Sequence, residues 1–302
     1  MRFSFWPQPT QDFETMKTLG QHVAATGWDG MWIADHFMPN AEDTSAPWPE
    51  AWTTMGALAA TVPDIRLGTL VTGNTYRHPA VLAKMAATVD HISGGRLVLG
   101  LGAGWQENEH AKYGIPFYSV NERLRRLEEA CQVIKGLYNN SSFSMNGRFY
   151  QLNDAPLEPK PAQNNLPLLI GGGGEKVTLR ITAQYADEWN VWGTVDILKH
   201  KMAILDQHCE KLGRDPAEIQ RSAVALLFLS DDQAFIEKMK SSGAAQPMIC
   251  GNVEELQGII AAYRDAGVDE LIVPDFTMGG GATAEKKEIL DRFIKEVAPA
   301  GR

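Results

Sequence analysis

Cysteine is scarce in this chain of 302 residues, and the few cysteines form no pattern. Cys131, Cys209 and Cys250 lie far apart, and none of them belongs to a CxxC pair. This distribution predicts neither a disulfide framework nor a metal site. The sequence has no apolar run of about 18 residues, so we expect no membrane-spanning segment. Because the N-terminal residues lack the apolar core of a signal peptide, we expect a cytoplasmic protein.

Positive charge is also in short supply. The chain has 28 lysine and arginine residues against 37 aspartate and glutamate residues, which gives a formal net charge of −9. An acidic surface is a poor match for nucleic acid or for an anionic membrane, and we expect neither as a partner. A small molecule is the expected ligand, because single loops and helix ends can hold an anion even on an acidic protein.

Several catalytic motifs are missing as well. The sequence contains no GxxxxGK[ST] phosphate loop, no HExxH helix and no GxSxG nucleophile elbow. Metal-dependent, protease and hydrolase functions therefore lack support from the sequence.

The segment from Arg66 to Trp105 carries the clearest pattern of secondary structure. Arg66 to Thr72 is apolar and rich in β-branched residues, which predicts a buried strand. Pro79 opens a predicted helix that runs to about Ile92, and Arg96 to Leu101 is a second predicted strand. A strand, a helix and a second strand in this order form a βαβ unit, which predicts a parallel sheet.

About eight such strands alternate with helices, and no flexible linker divides the chain. This α/β pattern predicts a TIM-like (β/α)₈ barrel with insertion segments, in a single domain of residues 1–302. One insertion is a predicted hairpin over Phe143 to Leu152. We also predict a strand over Arg221 to Leu229 and a helix that starts at Glu175. The alternative fold is a doubly wound open sheet, which is disfavoured because no GxGxxG turn follows the first strand.

In a barrel of this kind, reactive residues sit at the C-terminal ends of the strands. His36 follows the second predicted strand and is the strongest candidate for acid/base catalysis, since histidines exchange protons near neutral pH. The alternative is a histidine that is merely hydrogen-bonded at the start of a loop. The neighbouring Asp35 would orient His36 or bind a ligand hydroxyl, or else it caps the loop.

Glycine and aromatic residues suggest a binding site near the same strand ends. Gly171 to Gly174 precede a predicted helix, where backbone N–H groups and the helix dipole can bind phosphate. A plain tight turn is the alternative. Gly102 to Gly104 would let the backbone approach a flat ligand, although close strand packing explains these glycines nearly as well. Aromatic residues near the predicted mouth would wall a ring-shaped ligand or simply pack, and they are Trp48, Tyr76, Trp105 and Trp192.

Several longer stretches resemble a known superfamily when they are taken together. They are ADHF at 34–37, GTLVTGNTYRHPAVLAK at 68–84, SGGRLVLGLGAGW at 93–105, ENEH at 107–110 with RLRRLE at 123–128, and LLIGGGGEKVTLRITAQYADEWN at 168–190. The chain resembles the bacterial-luciferase-like flavin and deazaflavin oxidoreductases, and most of all their F420-dependent branch. This resemblance implies a TIM-like barrel, a deazaflavin or flavin in the barrel mouth and hydride transfer at the central ring of that cofactor.

The resemblance also implies roles for particular residues. Asp35 and His36 would stand near the reactive face of the ring, with His36 as the acid/base. A non-proline cis peptide bond would fall at about Leu70-Val71, under the ring, with Gly73 and Asn74 just beyond it. The ring or its side chain would contact Ala103, Gly104 and Asn108. The phosphate group would be bound by Gly171, Gly172 and Gly173.

One residue departs from the pattern of the sugar-phosphate dehydrogenases in this branch. Trp105 stands where those enzymes have a glutamate after the Gly-x-Gly turn, so glucose 6-phosphate activity is not implied. The first functional hypothesis is therefore an F420-dependent oxidoreductase acting on a small organic substrate. Analogy with barrels of this superfamily suggests a homodimer. The alternatives are an FMN-dependent monooxygenase and a flavin-binding protein without turnover. A basic exit for the acidic tail of F420 would favour F420, and the candidate residues for that exit are Arg77, Lys176 and Arg180.

Overall fold

The computed structural model describes residues 1–243 and 245–302, and a closed barrel of parallel strands lies at its centre. The strands in the described residues are β1 (Arg2–Trp6), β2 (Gly30–Asp35), β3 (Arg66–Gly73), β4 (Leu97–Gly102), β5 (Ser142–Asn146), β6 (Gln151–Pro156), β7 (Leu168–Gly171), β8 (Glu188–Trp192), β9 (Gln220–Val224), β10 (Leu226–Leu229), β11 (Met248–Gly251) and β12 (Glu270–Pro274). Eight of them form the barrel, in the order β1, β12, β9, β8, β7, β4, β3 and β2. Since the first strand pairs with the last, the barrel prediction is confirmed and the open sheet is excluded.

Helices follow the barrel strands. Among the described residues they are α1 (Phe13–Thr26), α2 (Ala51–Thr61), α3 (Pro79–Ser93), α4 (Glu107–Tyr113), α5 (Val120–Asn139), α6 (Thr178–Tyr185), α7 (Val195–Leu212), α8 (Gln233–Ser241), α9 (Val253–Asp265) and α10 (Ala284–Arg292). Their ends match sequence signals: Asp12 caps α1, Asn252 and Glu255 form a capping box on α9, and Gly94 ends α3 at a φ of 70°. Within the described ranges, no helix is long and apolar enough to cross a membrane.

The barrel interior is closed at its N-terminal end by charged side chains. Arg66 pairs with Glu188 and with Glu270, and the indole nitrogen of Trp32 donates to Glu270 at 2.9 Å. Arg66, Glu188 and Glu270 each begin a barrel strand, so these contacts lie at the same end of the barrel. Above them the interior is filled by an apolar cluster that consists of Trp6, Trp32, Ala34, Leu70, Val98, Leu169, Val224 and Ile272. The opposite, C-terminal end is therefore the end that can hold a ligand.

Two small sheets lie outside the barrel. The antiparallel β5–β6 hairpin confirms the predicted insertion, although β6 extends to Pro156. The single strand predicted over Arg221 to Leu229 is wrong, because the chain leaves the barrel after Val224 and β10 pairs with β11 instead. The apolar run continues through both strands, so hydrophobicity alone does not show where the chain changes sheet.

Gly100 in β4 has no room for a side chain. A Cβ at this position would lie 1.8 Å from the carbonyl oxygen of Thr69 in the adjacent β3. We expect Gly100→Ala to lower the free energy of unfolding by about 2–3 kcal/mol, because the backbones of two barrel strands must move apart. Urea unfolding followed by circular dichroism measures this change.

The matched control is Gly56→Ala in α2. Nothing lies within 4 Å of a Cβ at Gly56, and alanine stabilises a helix interior by up to about 1 kcal/mol relative to glycine. If Gly100→Ala unfolds at the wild-type urea concentration, the close approach of β3 and β4 does not exist in solution.

Candidate active site

A cavity of about 710 Å³ opens at the C-terminal ends of the barrel strands. Aromatic side chains form much of its wall, and they are Trp6, Trp48, Tyr76, Trp105, Trp192 and Phe276. The remaining wall is made mainly of glycines and of small or amide side chains from the ends of β2, β3, β4, β7 and β8. A cavity of this size and position is typical of a site for a cofactor and a substrate.

Val71 lies among glycines in the cavity wall. The peptide bond between Leu70 and Val71 is cis, as the resemblance implied. A Cβ at Gly102 or at Gly171 would lie 2.8 Å from a methyl carbon of Val71. Glycine is therefore required at both positions, and their backbones stay accessible from the cavity.

His36 is held by a buried carboxylate. Its Nδ1 lies 2.7 Å from Oε1 of Glu109 and 3.2 Å from the hydroxyl of Tyr76. The Tyr76 hydroxyl also donates to Glu109, and the backbone N–H of Phe37 donates to the other carboxylate oxygen at 2.8 Å. Glu109 lies on α4 and is completely buried. Three side chains thus meet at the cavity wall: His36 follows β2, Tyr76 follows β3 and Glu109 follows β4.

Electrostatics keep Glu109 ionised. Burial opposes the charge, but hydrogen bonds from His36, Phe37 and Tyr76 outweigh it and hold the pKa of Glu109 below its ordinary value. Burial, together with the neighbouring carboxylate, raises the pKa of Tyr76, which therefore stays a neutral donor. A neutral His36 beside an ionised Glu109 carries its proton on Nδ1, so its Nε2 can accept a proton from a ligand.

Asp35 does not orient His36. It ends β2, and its fully buried carboxylate pairs with Arg77, at 2.6 Å from Nη1 to Oδ2 and 3.2 Å from Nη2 to Oδ1. Burial raises the pKa of Asp35, and the guanidinium of Arg77 opposes that rise. Successive residues of a strand point to opposite sides, so Asp35 faces away from the barrel interior that contains Ala34. The orienting role predicted for Asp35 falls to Glu109.

The glycine-rich segment Gly171 to Gly174 links β7 to α6. Gly172 has a φ of 129°, which strongly favours glycine. The helix begins at Thr178 rather than at the predicted Glu175, because the intervening residues form a turn. Val177 precedes the helix and provides no side-chain cap, but the N–H of Leu179 already donates to the carbonyl of Gly174 at 3.0 Å. The other N–H groups of this turn can bind an anion.

Cationic side chains lie beside this loop. A Cβ at Gly173 would lie 3.6 Å from Cε of Lys201, whose ammonium group is 2.5 Å from Glu175. The imidazole of His200 lies 3.1 Å from the same carboxylate, and Lys176 is exposed. Lys201 and His200 are paired with Glu175, so the features of this loop that suit a phosphate group are its backbone donors and the exposed Lys176.

Eight of the predicted site residues line the cavity, namely His36, Leu70, Val71, Gly73, Ala103, Gly104, Gly171 and Gly172. Four do not, namely Asp35, Asn74, Asn108 and Gly173. The side-chain amide of Asn74 donates to the Tyr150 hydroxyl at 3.2 Å, and that of Asn108 donates to the Pro39 carbonyl at 3.0 Å. A contact between any of these twelve residues and a cofactor stays a prediction.

Two of the cations predicted for an acidic cofactor tail are already paired. Arg77 binds Asp35 and Glu50, and Arg180 makes two hydrogen bonds to Glu128 at 2.7 and 2.8 Å. These arginines are therefore unsuitable as a basic exit from the cavity.

Sequence reasoning missed the importance of Glu109 and of two aromatic residues. Glu109 was part of a recognised motif, and its place just after the fourth strand was a signal that it could reach the cavity. Trp6 ends β1 and Phe276 follows β12. Both residues line the cavity, and the centroids of their rings are 5.1 Å apart. The strand-end rule would have identified them if it had been applied to the first and last strands.

The sequence matches the model of a known protein family. A family model described as luciferase-like monooxygenase matches residues 1–249. The F420-dependent glucose-6-phosphate dehydrogenase of Amycolatopsis mediterranei (strain U-32) is 36% identical over 162 residues, which cover 53% of this chain and 46% of the relative. The FMNH(2)-dependent dimethylsulfone monooxygenase of Pseudomonas putida is 32% identical over 193 residues, which cover 58% and 53%. The chain spans about half the length of these curated relatives.

Solved structures with the same fold cover almost the whole chain. An F420-dependent secondary alcohol dehydrogenase in complex with an F420-acetone adduct has a TM-score of 0.84 at 20% identity, over 100% of this chain and 99% of that chain. A monooxygenase from Streptomyces bottropensis has a TM-score of 0.81 at 18% identity, over 99% of both chains. At these identities the likeness shows the fold, which is the luciferase-like TIM barrel.

The family model covers more than half of the sequence, and the chain therefore belongs to the luciferase-like monooxygenase family. The resemblance inferred from the motifs is confirmed.

The depressed pKa of Glu109 has a consequence for stability. Its ionisation stabilises the fold above the ordinary pKa of 4.5, and this contribution is lost as the pH falls through the lower folded-state value. We expect Glu109→Gln to lower the free energy of unfolding by about 1–3 kcal/mol at neutral pH, because donors around it lose a charged acceptor. Urea unfolding at a series of pH values should show this difference shrink below pH 4.5.

The control is Glu107→Gln, which removes the same charge from an exposed position on α4. It should change the free energy of unfolding by less than about 0.5 kcal/mol. A Glu109→Gln effect that is absent, or that does not vary with pH, would contradict the proposed ionised state.

Proposed function

We propose that the protein is an F420-dependent oxidoreductase, which transfers a hydride between coenzyme F420 and a small organic substrate in the barrel mouth. The observation that carries the proposal is the position of His36, whose Nδ1 is held by Glu109 and Tyr76 in the wall of a large cavity. Hydride transfer to or from an alcohol or carbonyl group also moves a proton, and a positioned histidine provides for that.

The cavity has features that suit such a cofactor. Gly102 and Gly171 leave the backbone accessible beside Val71, as a flat ring system requires. The phosphate would be held by the segment Gly171 to Gly174 and the first turn of α6, with Lys201 nearby. Bound F420 would supply the hydride donor or acceptor at its central ring.

Side chains in and behind the cavity wall would transfer the proton and exclude water. His36 would take a proton at Nε2 from a substrate hydroxyl, or return it to a carbonyl oxygen in the reverse direction. Glu109 would stabilise the imidazolium that results, as the carboxylate does in a Ser-His-Asp triad. Tyr76 holds Glu109 in place. The aromatic wall of the cavity would exclude water from the reacting atoms.

An FMN-dependent monooxygenase is the second candidate function. It is supported by the 32% identity to the dimethylsulfone monooxygenase. F420 is favoured because it carries an acidic tail beyond its phosphate, and exposed Lys176 lies next to the loop proposed to hold that phosphate. Glucose 6-phosphate is not proposed as a substrate, since Trp105 replaces the glutamate that the resemblance associates with it.

Parallel titrations of the purified, cofactor-free protein with F420 and with FMN test the proposal. We expect F420 to bind at least about tenfold more tightly, as measured by tryptophan fluorescence, because its tail adds contacts with lysine side chains. Lys176→Ala should weaken F420 binding and leave FMN binding unchanged. Lys211→Ala, an exposed lysine at the far end of α7, is the control and should change neither. Tighter binding of FMN would overturn the F420 proposal in favour of the monooxygenase.

A further inference from the structure

Within the part of the chain that the structure describes, the cavity wall has no permanently charged side chain, since no lysine, arginine, aspartate or glutamate lines it. Around His36 the wall is made of Trp48, Tyr76 and Trp105, of which none carries a charge at neutral pH. A substrate that lies beside His36 therefore meets aromatic surface and neutral polar groups.

The charges directly behind this part of the wall are mostly negative. Glu109 lies behind His36, and Asp35 and Glu50 both pair with Arg77. Three carboxylates thus lie near this part of the wall with one guanidinium, and two of the three already bind it. A phosphate or carboxylate group on a substrate would find no cation to bind here and would be repelled by the excess negative charge.

Two tryptophans form an apolar surface beside His36. The ring centroid of Trp105 lies 5.4 Å from that of His36, with an angle of 80° between the planes. The ring of Trp48 lies 6.3 Å from His36 at an angle of 77°. Trp105 is 60% exposed, which is unusual for the largest apolar side chain and leaves its ring able to cover an apolar ligand.

We infer that the substrate is an uncharged alcohol or carbonyl compound with an apolar body, which binds beside His36 between Trp48 and Trp105. This inference rests on the proposed function, since it takes His36 as the proton acceptor. In the oxidising direction the substrate C–H bond breaks and its electron pair leaves as hydride to F420. The O–H proton passes to Nε2 of His36, and the C–O single bond becomes a carbonyl. The two-electron oxidant in this step is F420.

The test compares two ligands that differ only in charge, benzyl alcohol and benzyl phosphate. Their dissociation constants are measured by ligand-observed NMR on the full chain in two states, with F420 bound, and without F420 but with saturating inorganic phosphate, which would occupy the proposed phosphate site at Gly171 to Gly174. We expect benzyl alcohol to bind about tenfold more tightly than benzyl phosphate in both states. Trp105→Arg places a cation beside His36, so it should strengthen benzyl phosphate binding about tenfold and weaken benzyl alcohol binding.

Val120→Arg is the matched control, because Val120 is equally exposed and does not line the cavity. It should leave both affinities unchanged. The inference is overturned if benzyl phosphate binds the wild type as tightly as benzyl alcohol, if neither ligand binds, or if Trp105→Arg changes neither affinity.

These measurements distinguish a wrong substrate class from a wrong proposed function. If F420 binds normally but the phosphate ester is preferred, only the substrate class is wrong. If F420 fails to bind while the cofactor-free cavity still prefers the alcohol, only the proposed function is wrong.

Discussion

The buried carboxylate of Glu109 is the group on which the geometry of the site depends. It accepts hydrogen bonds from the imidazole of His36, the backbone of Phe37 and the hydroxyl of Tyr76. These donors follow β2 and β3, whereas Glu109 follows β4, so one side chain fixes the relative positions of three strand ends. A buried carboxylate without these hydrogen bonds would strongly destabilise the folded protein. The network therefore fixes the positions of His36, Phe37 and Tyr76 relative to Glu109.

The barrel supplies the space in which this network can act. Charged residues close its N-terminal end around Glu270, and apolar side chains fill its middle. At the C-terminal end, glycines replace larger residues around Val71 and leave a cavity between the strand ends. One part of that cavity has backbone donors for an anion near Gly171 to Gly174, whereas the part beside His36 is aromatic and uncharged. Under the proposed function, a charged cofactor and a neutral substrate would be recognised by different parts of the same cavity.

The sequence was sufficient to predict the barrel, because alternating strands and helices and the strand-end rule are local signals. The same rule placed His36 and Gly171 in the site, and the resemblance located the cis bond before Val71. The partner of His36 was not predictable in this way, because Glu109 is 73 positions further along the chain and only the folded barrel brings the two together. Asp35 was one candidate for orienting His36, but it pairs with Arg77 on the side of β2 opposite to Ala34, and the sequence does not show this contact because the two residues are 42 positions apart.

The central claim is that Glu109 fixes the proton of neutral His36 on Nδ1 and leaves Nε2 as the base. The ¹⁵N chemical shifts of the His36 side chain, recorded by NMR on the wild type and on Glu109→Gln, test this most directly. The account predicts a protonated Nδ1 and an unprotonated Nε2 in the neutral wild type, with a mixture of both tautomers in the variant. A wild-type His36 that carries its proton on Nε2, or a tautomer that the substitution does not change, would contradict it.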